Sequence, residues 1–156
     1  MSSKKQLLLI AHAPSSNTNK MVAAVIKGAS NPEVDNVDVR YLSPFNTEPS
    51  DILSAQAVIL GTTENLGYMS GALKDMFDRC YYECLEKTQG MPFSFFVRAG
   101  HDGTGTCRAI ESITTGLRWR VVQEPLICRG DFQPEFIIQC EELGLSMAAS
   151  LDAGII

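Results

Sequence analysis

The sequence predicts an α/β fold in which a five-stranded parallel sheet of order 2-1-3-4-5 carries helices on both faces. Short apolar runs alternate along the chain with segments whose apolar residues recur every three or four positions, the pattern of strands alternating with amphipathic helices. One run alternates apolar and charged residues, and another is interrupted by proline, and both features are typical of edge strands. With those two strands at the edges, the order 2-1-3-4-5 is the natural arrangement.

The first third of the chain predicts two strands, a helix and a helical turn. Leu7–Ile10 is a continuous apolar run, which favours a buried strand. Val37–Tyr41 alternates strictly, which favours an edge strand with one solvated face, and Ser50–Leu53 resembles a short helical turn. Between the two strands, a helix is indicated by an apolar face that consists of Met21, Val22, Val25 and Ile26.

The middle of the chain predicts a central strand and a long helix. Ala57–Leu60 is again continuously apolar, so it should be buried on both faces. Ser70 is the expected N-cap of a helix of roughly four turns, which Gly90-Met91-Pro92 should end. The apolar face of this helix consists of Leu73, Phe77, Cys80 and Cys84.

The last third predicts two more strands and two more helices. Phe93–Val97 should be a buried strand. Val121–Val122 and Leu126–Cys128 supply the fifth strand, which is interrupted at Pro125. The apolar face of the first helix is marked by Cys107, Ile110, Ile113 or Thr114, and Leu117. That of the second is marked by Phe136, Cys140, Leu143, Met147 and Leu151.

The size, charge and cysteine content of the chain exclude several classes of function. The 156 residues suit a single domain with one sizeable core, and the net charge of −5 without a basic cluster argues against nucleic acid and anionic membranes as partners. The first apolar run is too short to cross a bilayer and resembles a strand more than a signal sequence, so we expect a cytoplasmic protein. The five cysteines have no metal-ligand spacing, so we expect free thiols packed in the core and no metal.

In the order 2-1-3-4-5, a ligand is expected outside the carboxyl ends of strands one and three, where the winding direction reverses. Three loops meet there: Ala13–Thr18, Thr62–Met69 and Ala99–Gly105. The first leads directly into a helix, whose free N–H groups and positive dipole end favour a phosphate. Its side-chain donors are Ser15, Ser16, Asn17 and Thr18. The alternative, that Ser16 or Asn17 simply caps the helix, is equally open.

These loops resemble those of the flavodoxin-like family of FMN-binding proteins, in particular its NAD(P)H:quinone oxidoreductase and FMN-reductase branches. Ser15-Ser16-Asn17-Thr18 is similar to the family's Ser/Thr-Gly-Asn-Thr loop around the FMN phosphate. Leu60-Gly61-Thr62, Gly67 and Met69-Ser70-Gly71 are similar to its Gly-Thr-Pro and Gly-Asn-Met-Ser-Gly pattern. Ala99–Gly105 resembles its glycine-rich loop after strand four.

The resemblance implies a flavodoxin-like three-layer sandwich that binds FMN non-covalently. It implies an oxidoreductase that takes electrons from NADH or NADPH and reduces a quinone or a related acceptor, in a homodimer or homotetramer. Two alternatives stay open: an electron carrier without its own substrate, and a flavin-free member that binds another phosphate ligand. The implied FMN-binding residues are Ser15, Ser16, Asn17, Thr18, Thr62, Thr63, Glu64, Asn65, Leu66, Gly67, Tyr68, Ala99, Gly100, His101 and Gly103.

The second loop departs from the family pattern, because Thr63-Glu64-Asn65-Leu66 stands where Pro-Thr-Arg-Phe is usual. If Glu64 lies at the pyrimidine edge of the flavin, it opposes the negative charge of the reduced ring, so Glu64→Gln should raise the midpoint potential; the alternative is a solvated glutamate. Tyr68 is expected to stack on the ring or to lie at a dimer contact. His101 is a candidate donor to a flavin oxygen or a quinone, or else a surface histidine, and His12 is expected to be structural.

Overall fold

The chain alternates strands and helices throughout residues 4–156, the part that the computed structural model describes. The strands are β1 (Lys5–Ala11), β2 (Val37–Leu42), β3 (Ala57–Asn65), β4 (Tyr68–Met69), β5 (Pro92–Ala99), β6 (Arg120–Val121) and β7 (Leu126–Arg129). The helices are α1 (Ser16–Ala29), α2 (Pro49–Leu53), α3 (Gly71–Cys84), α4 (Thr104–Gly116) and α5 (Pro134–Asp152), with a 3-10 turn at Pro44–Asn46.

The sheet has the predicted topology. Its strand order is β2-β1-β3-β5-β6, with β7 also paired to β5, and all of these pairs are parallel. Because β6 and β7 are two pieces of the predicted fifth strand, this is the order 2-1-3-4-5, and the prediction is confirmed. The short strand β4 was not expected, and it pairs antiparallel with the end of β3.

Alternate residues of the central strands enter two different cores. Leu8 and Ile10 of β1 pack with α2, α3 and α4, whereas Leu7 and Leu9 pack with α1 and α5. Each of these four side chains is at most 2% exposed. Continuous apolar runs are therefore required in β1, because both of its faces are covered.

Helices α1 and α5 approach each other at two glycines. A Cβ atom on Gly28 would lie 1.9 Å from the carbonyl oxygen of Glu141, and one on Gly144 would lie 2.1 Å from that of Val25. Neither position has room for a side chain, so the two backbones are in direct contact. This contact fixes α1, and with it the first predicted ligand loop, relative to α5.

The two edges of the sheet agree with the sequence pattern. β2 is an outer strand, as predicted, and its exposure alternates from Val37 to Arg40; Tyr41, expected on the covered face, is 38% exposed. At the other edge, the chain leaves the sheet between Val121 and Leu126, where Pro125 has no N–H to donate. The hydroxyl of Ser94 donates to the Gln123 carbonyl oxygen at 2.9 Å and holds this interruption against β5.

Helix α3 begins as predicted but ends earlier. Ser70 is its N-cap, and its hydroxyl accepts the N–H of Leu73 at 3.2 Å. The helix stops at Cys84 rather than near Gly90, because Leu85 has extended backbone angles and Glu86 has a φ of 64°. The correction concerns only the end, since the predicted apolar face of α3 is buried.

The cysteines are unpaired: Cys107 is half-buried, and the buried ones are Cys80, Cys84, Cys128 and Cys140. Within residues 4–156, no helix combines the length and the apolar character that crossing a membrane requires.

Candidate functional site at the carboxyl edge of the sheet

The three predicted ligand loops lie together at one edge of the sheet. Ala11, the last residue of β1, pairs with Gly61 of β3, and Thr63 of β3 pairs with Arg98 near the end of β5. Since these strands are parallel, the segments that follow them share the carboxyl edge. The N–H of His12 donates to the Gly61 carbonyl oxygen at 3.0 Å, so the first loop begins in contact with β3.

Ser15 caps helix α1, which corrects the expectation that Ser16 or Asn17 does so. The Ser15 hydroxyl accepts the N–H of Thr18 at 3.2 Å, and the Thr18 hydroxyl accepts the N–H of Ser15 at 3.0 Å. This reciprocal pair is a capping box in which threonine takes the place usually held by Glu or Gln. The donors of Ser15 and Thr18, both predicted to bind phosphate, are thus satisfied within the helix start.

Ser16 and Asn17 are the donors that the first loop leaves free. Both side chains are exposed, and neither makes a hydrogen bond with any other residue in the range 4–156. They stand in the first turn of α1, where backbone N–H groups lack helical partners and the dipole is positive. This turn has the hydrogen-bonding character that a phosphate requires.

The second predicted loop is a β-hairpin, which is a correction. β3 continues to Asn65, which pairs with Tyr68, and only Leu66 and Gly67 form the turn. Their φ angles are 54° and 75°, and two positive φ angles in a two-residue turn define type I′. The sequence concealed this hairpin because leucine is unusual at the first turn position, which favours Asn, Asp or Gly.

Two threonine hydroxyls of the hairpin are engaged internally. The Thr62 hydroxyl accepts the N–H of Ser70 at 2.9 Å and donates to the Thr63 carbonyl oxygen at 2.8 Å. The Thr63 hydroxyl donates to the Asn65 side-chain oxygen at 2.9 Å. Thr62 therefore joins the end of β3 to the start of α3, and these groups hold the shape of the hairpin.

The Glu64 carboxylate binds the backbone of the third loop. One oxygen accepts the N–H of His101 and the other accepts the N–H of Gly103, both at 2.9 Å. The expectation of a solvated glutamate is wrong, because both oxygens have backbone donors. Sequence reasoning missed this contact since it joins residues 37 and 39 positions apart.

The hairpin also packs directly on helix α4. A Cβ atom on Gly105 would lie 1.9 Å from the carbonyl oxygen of Gly67, so the two backbones touch. Gly103, just before α4, has a φ of 71°. The Asp102 carboxylate accepts the N–H of Thr104 at 3.1 Å, and this contact lowers the pKa of Asp102.

The remaining predicted residues of the second and third loops differ in exposure. Leu66, at the hairpin tip, is fully exposed and Tyr68 is 42% exposed. Ala99 is buried, whereas Gly100 and the side chain of His101 are exposed. The hairpin tip and His101 are therefore accessible from solvent.

Two buried polar atoms near the loops have no hydrogen-bond partner among residues 4–156. They are Nδ1 of His12, which follows β1, and the hydroxyl oxygen of Thr106, in the first turn of α4. Burial lowers the pKa of His12, which favours the neutral imidazole. Sequence reasoning missed Thr106. The only feature of the sequence that could have indicated it is its position directly after the glycine-rich loop that ends at Gly105.

The loops fit a phosphate better than they fit a planar ring. Helix α1 offers the free donors of Ser16 and Asn17. The backbone donors of His101 and Gly103, which would meet the polar edge of a ring, are already bound to Glu64. A cavity of about 440 Å³ lies elsewhere, between residues 123–126 and helix α5, and none of the predicted ligand residues lines it.

No protein-family model matches the sequence, and no curated protein is significantly similar to it. Solved structures match along nearly the whole chain. A flavodoxin from the domain Archaea is 20% identical with a TM-score of 0.78, over 93% of this chain and 97% of that one. A WrbA-like flavodoxin from Agrobacterium tumefaciens is 15% identical with a TM-score of 0.68, over 94% and 96%.

A third match is the flavodiiron protein of Giardia intestinalis, at 14% identity and a TM-score of 0.77. It covers 94% of this chain, which spans 36% of that larger protein. At these identities the matches define the fold, and this chain has the flavodoxin-like fold.

Proposed function

We propose that the protein binds FMN non-covalently at the carboxyl edge of its sheet and acts as an NAD(P)H-dependent oxidoreductase on quinones or a related acceptor. The observation that carries this proposal is the convergence of three loops where the winding direction of a flavodoxin-like sheet reverses. The first of these loops presents free hydrogen-bond donors at a helix start, and the other two flank it.

The start of α1 is the proposed phosphate site. The side chains and the backbone N–H groups of Ser16 and Asn17 would donate to the phosphate oxygens, and the helix dipole would favour their charge. The capping box of Ser15 and Thr18 fixes the position of this turn before a ligand arrives. Little of the affinity would come from side-chain charge, because the nearby Lys20 is exposed on the helix surface.

The hairpin and the third loop would enclose the flavin ring. Tyr68, which is half exposed, would lie against the ring, and the exposed His101 would donate to a flavin oxygen or to a quinone. Bound FMN would supply the hydride and electron chemistry, so no side chain of the protein needs to act as a catalytic acid or base.

The proposed oxidoreductase needs an electron donor, an acceptor and a second copy of the chain. NADH or NADPH would be the electron donor, and a small molecule such as a quinone would be the acceptor. The chain would form a homodimer or homotetramer. A cytoplasmic location agrees with the five unpaired cysteines.

An electron carrier without its own substrate is the second candidate. The observation that favours it is the apolar hairpin tip, where the fully exposed Leu66 lies near the half-exposed Tyr68. An apolar surface of this kind suits contact with a redox partner protein as well as with a small molecule.

Flavin titration followed by reduction tests the proposal. The refolded protein is titrated with FMN and with riboflavin while flavin fluorescence is recorded, and FMN should bind at least tenfold more tightly because only FMN carries the phosphate. Asn17→Ala should weaken FMN binding without affecting riboflavin, whereas Asn19→Ala, an exposed asparagine on the same helix, should change neither.

The complex is then mixed with NADH or NADPH without oxygen. Rapid bleaching of the yellow colour by either donor supports the oxidoreductase. Bound flavin that neither donor bleaches supports the carrier, and absence of FMN binding contradicts both.

A further inference from the structure

Glu64 occupies the backbone donors of the third loop. Its two carboxylate oxygens each accept one N–H, from His101 and from Gly103, at 2.9 Å. Hydrogen bonds with an ionised acceptor are about twice as strong as those between neutral groups. The contact therefore ties the end of β3 to the third loop.

The backbone N–H groups of the third loop bind an anion just before the start of α4. Gly103 has a left-handed backbone, and helix α4 starts at the next residue, so N–H groups and the positive helix end face the same region. The chain's own carboxylate is the anion that this site holds in the structure. In the same first turn of α4, the Thr106 hydroxyl is fully buried and has no partner within residues 4–156.

The neighbouring contacts leave the site little freedom. The hairpin that carries Glu64 is pressed against α4, with no room for a Cβ atom between Gly105 and Gly67. A ring that used the N–H groups of His101 and Gly103 would have to replace the Glu64 carboxylate, because each N–H has a single proton to donate.

We propose that Glu64 is an internal ligand of the third loop and competes there with the flavin. This inference rests on the proposed function, and it makes Glu64 a residue that lowers flavin affinity at the ring end of the site. Uptake of FMN exchanges the two hydrogen bonds of Glu64 for hydrogen bonds to an acceptor oxygen of the ring, and the carboxylate turns to solvent. The two hydrogen bonds lost by Glu64 reduce the affinity.

Removal of the Glu64 carboxylate distinguishes competition with FMN from a purely structural role of Glu64. If Glu64 competes, Glu64→Ala frees both N–H groups and FMN should bind at least tenfold more tightly than to the unchanged protein. Glu64→Gln keeps the side-chain size but not the charge, so its gain should be smaller. Glu33→Ala, which removes a carboxylate from the turn before β2 at the opposite end of the sheet, should bind FMN as the unchanged protein does.

Hydrogen exchange of the two backbone amides gives a readout that does not depend on activity. Without flavin, the amides of His101 and Gly103 should exchange slowly in the unchanged protein and faster in Glu64→Ala. With saturating FMN, they should exchange slowly in both proteins.

Unchanged or weaker FMN binding by Glu64→Ala, in a variant that circular dichroism shows to be folded, overturns the inference and leaves the proposed function intact. Equal exchange of the amides with and without the carboxylate also overturns it. If neither the unchanged protein nor any variant binds FMN, the proposed function itself fails.

Discussion

At the scale of single residues, Ser15 caps a helix start that also carries the proposed phosphate site. Its hydroxyl accepts the N–H of Thr18, so the side chains of Ser16 and Asn17 are not needed as caps and stay free to bind a ligand. Three candidate caps of similar chemistry stand side by side in the sequence, and the choice depends on which residue has extended backbone angles. Ser15 does, with a φ of −134° and a ψ of 165°.

Ser15→Ala should lower the free energy of unfolding by about 1 kcal/mol, because the capping hydrogen bond to Thr18 is lost. Ser16→Ala is the matched control and should have little effect on stability, since its hydroxyl has no partner in the described residues. Urea denaturation measures both. A larger loss in Ser16→Ala than in Ser15→Ala would contradict the assignment of the cap.

Leu66 is strained at the tip of the hairpin. A non-glycine residue with a φ of 54° costs about 1–2 kcal/mol, and this leucine is fully exposed, so packing does not compensate. Leu66→Asn should raise the free energy of unfolding by about 1 kcal/mol, because asparagine tolerates this conformation and Asn-Gly is a preferred type I′ turn.

Gly67→Ala provides the opposite control in thermal or urea denaturation. A Cβ atom there would meet nothing within 4 Å, but the φ of 75° is strained for alanine. It should therefore lower stability by about 1 kcal/mol. A destabilised Leu66→Asn would show that the turn is not type I′ in solution.

At the scale of elements, the contact between the hairpin and α4 joins the second and third loops. Gly105→Ala should lower the free energy of unfolding by about 1–3 kcal/mol, because its Cβ would collide with the Gly67 carbonyl oxygen and push the hairpin away. Gly71→Ala, in the first turn of α3, has open space around it and should raise stability by up to about 1 kcal/mol.

Urea denaturation measures the free energies of unfolding of Gly105→Ala and Gly71→Ala relative to the unchanged protein. If Gly105→Ala is as stable as the unchanged protein, the hairpin does not rest on α4 in solution.

The sequence predicted the elements whose burial dictates their composition. β1 and β3 need continuous apolar runs because both faces are covered, and the Val37–Tyr41 alternation follows from one solvated face. It did not predict the hairpin, because a two-residue strand is too short to show a period and Leu66 is not a typical turn residue. Nor did it predict the end of α3, where the helix stops at a backbone change at Leu85 rather than at a glycine or proline.

The candidate site was predicted in location but not in its internal contacts. The winding direction of the sheet placed three loops at one edge, and the structure brings them there. The Glu64 contacts to His101 and Gly103 join distant parts of the chain, and no local pattern indicates which backbone N–H a carboxylate will bind.

At the scale of the whole molecule, the parallel sheet supports the site by fixing its loops. α1 is held to α5 through the glycine contacts at Gly28 and Gly144, and the hairpin is held to α4 through Gly105. At the start of α1, the capping box of Ser15 and Thr18 fixes the turn that carries the free donors of Ser16 and Asn17. The proposed phosphate site is therefore already formed, whereas the proposed ring site would have to release Glu64.

The central claim is that FMN binds across these three loops, and an NMR titration of the ¹⁵N-labelled protein with FMN tests it most directly. We expect the largest shifts in the amide signals of Ser16 and Asn17 at the phosphate end and of Glu64, His101 and Gly103 at the ring end. Inorganic phosphate should shift only the first group. Shifts confined to another region, such as the cavity beside α5, or no shifts at all would contradict the account.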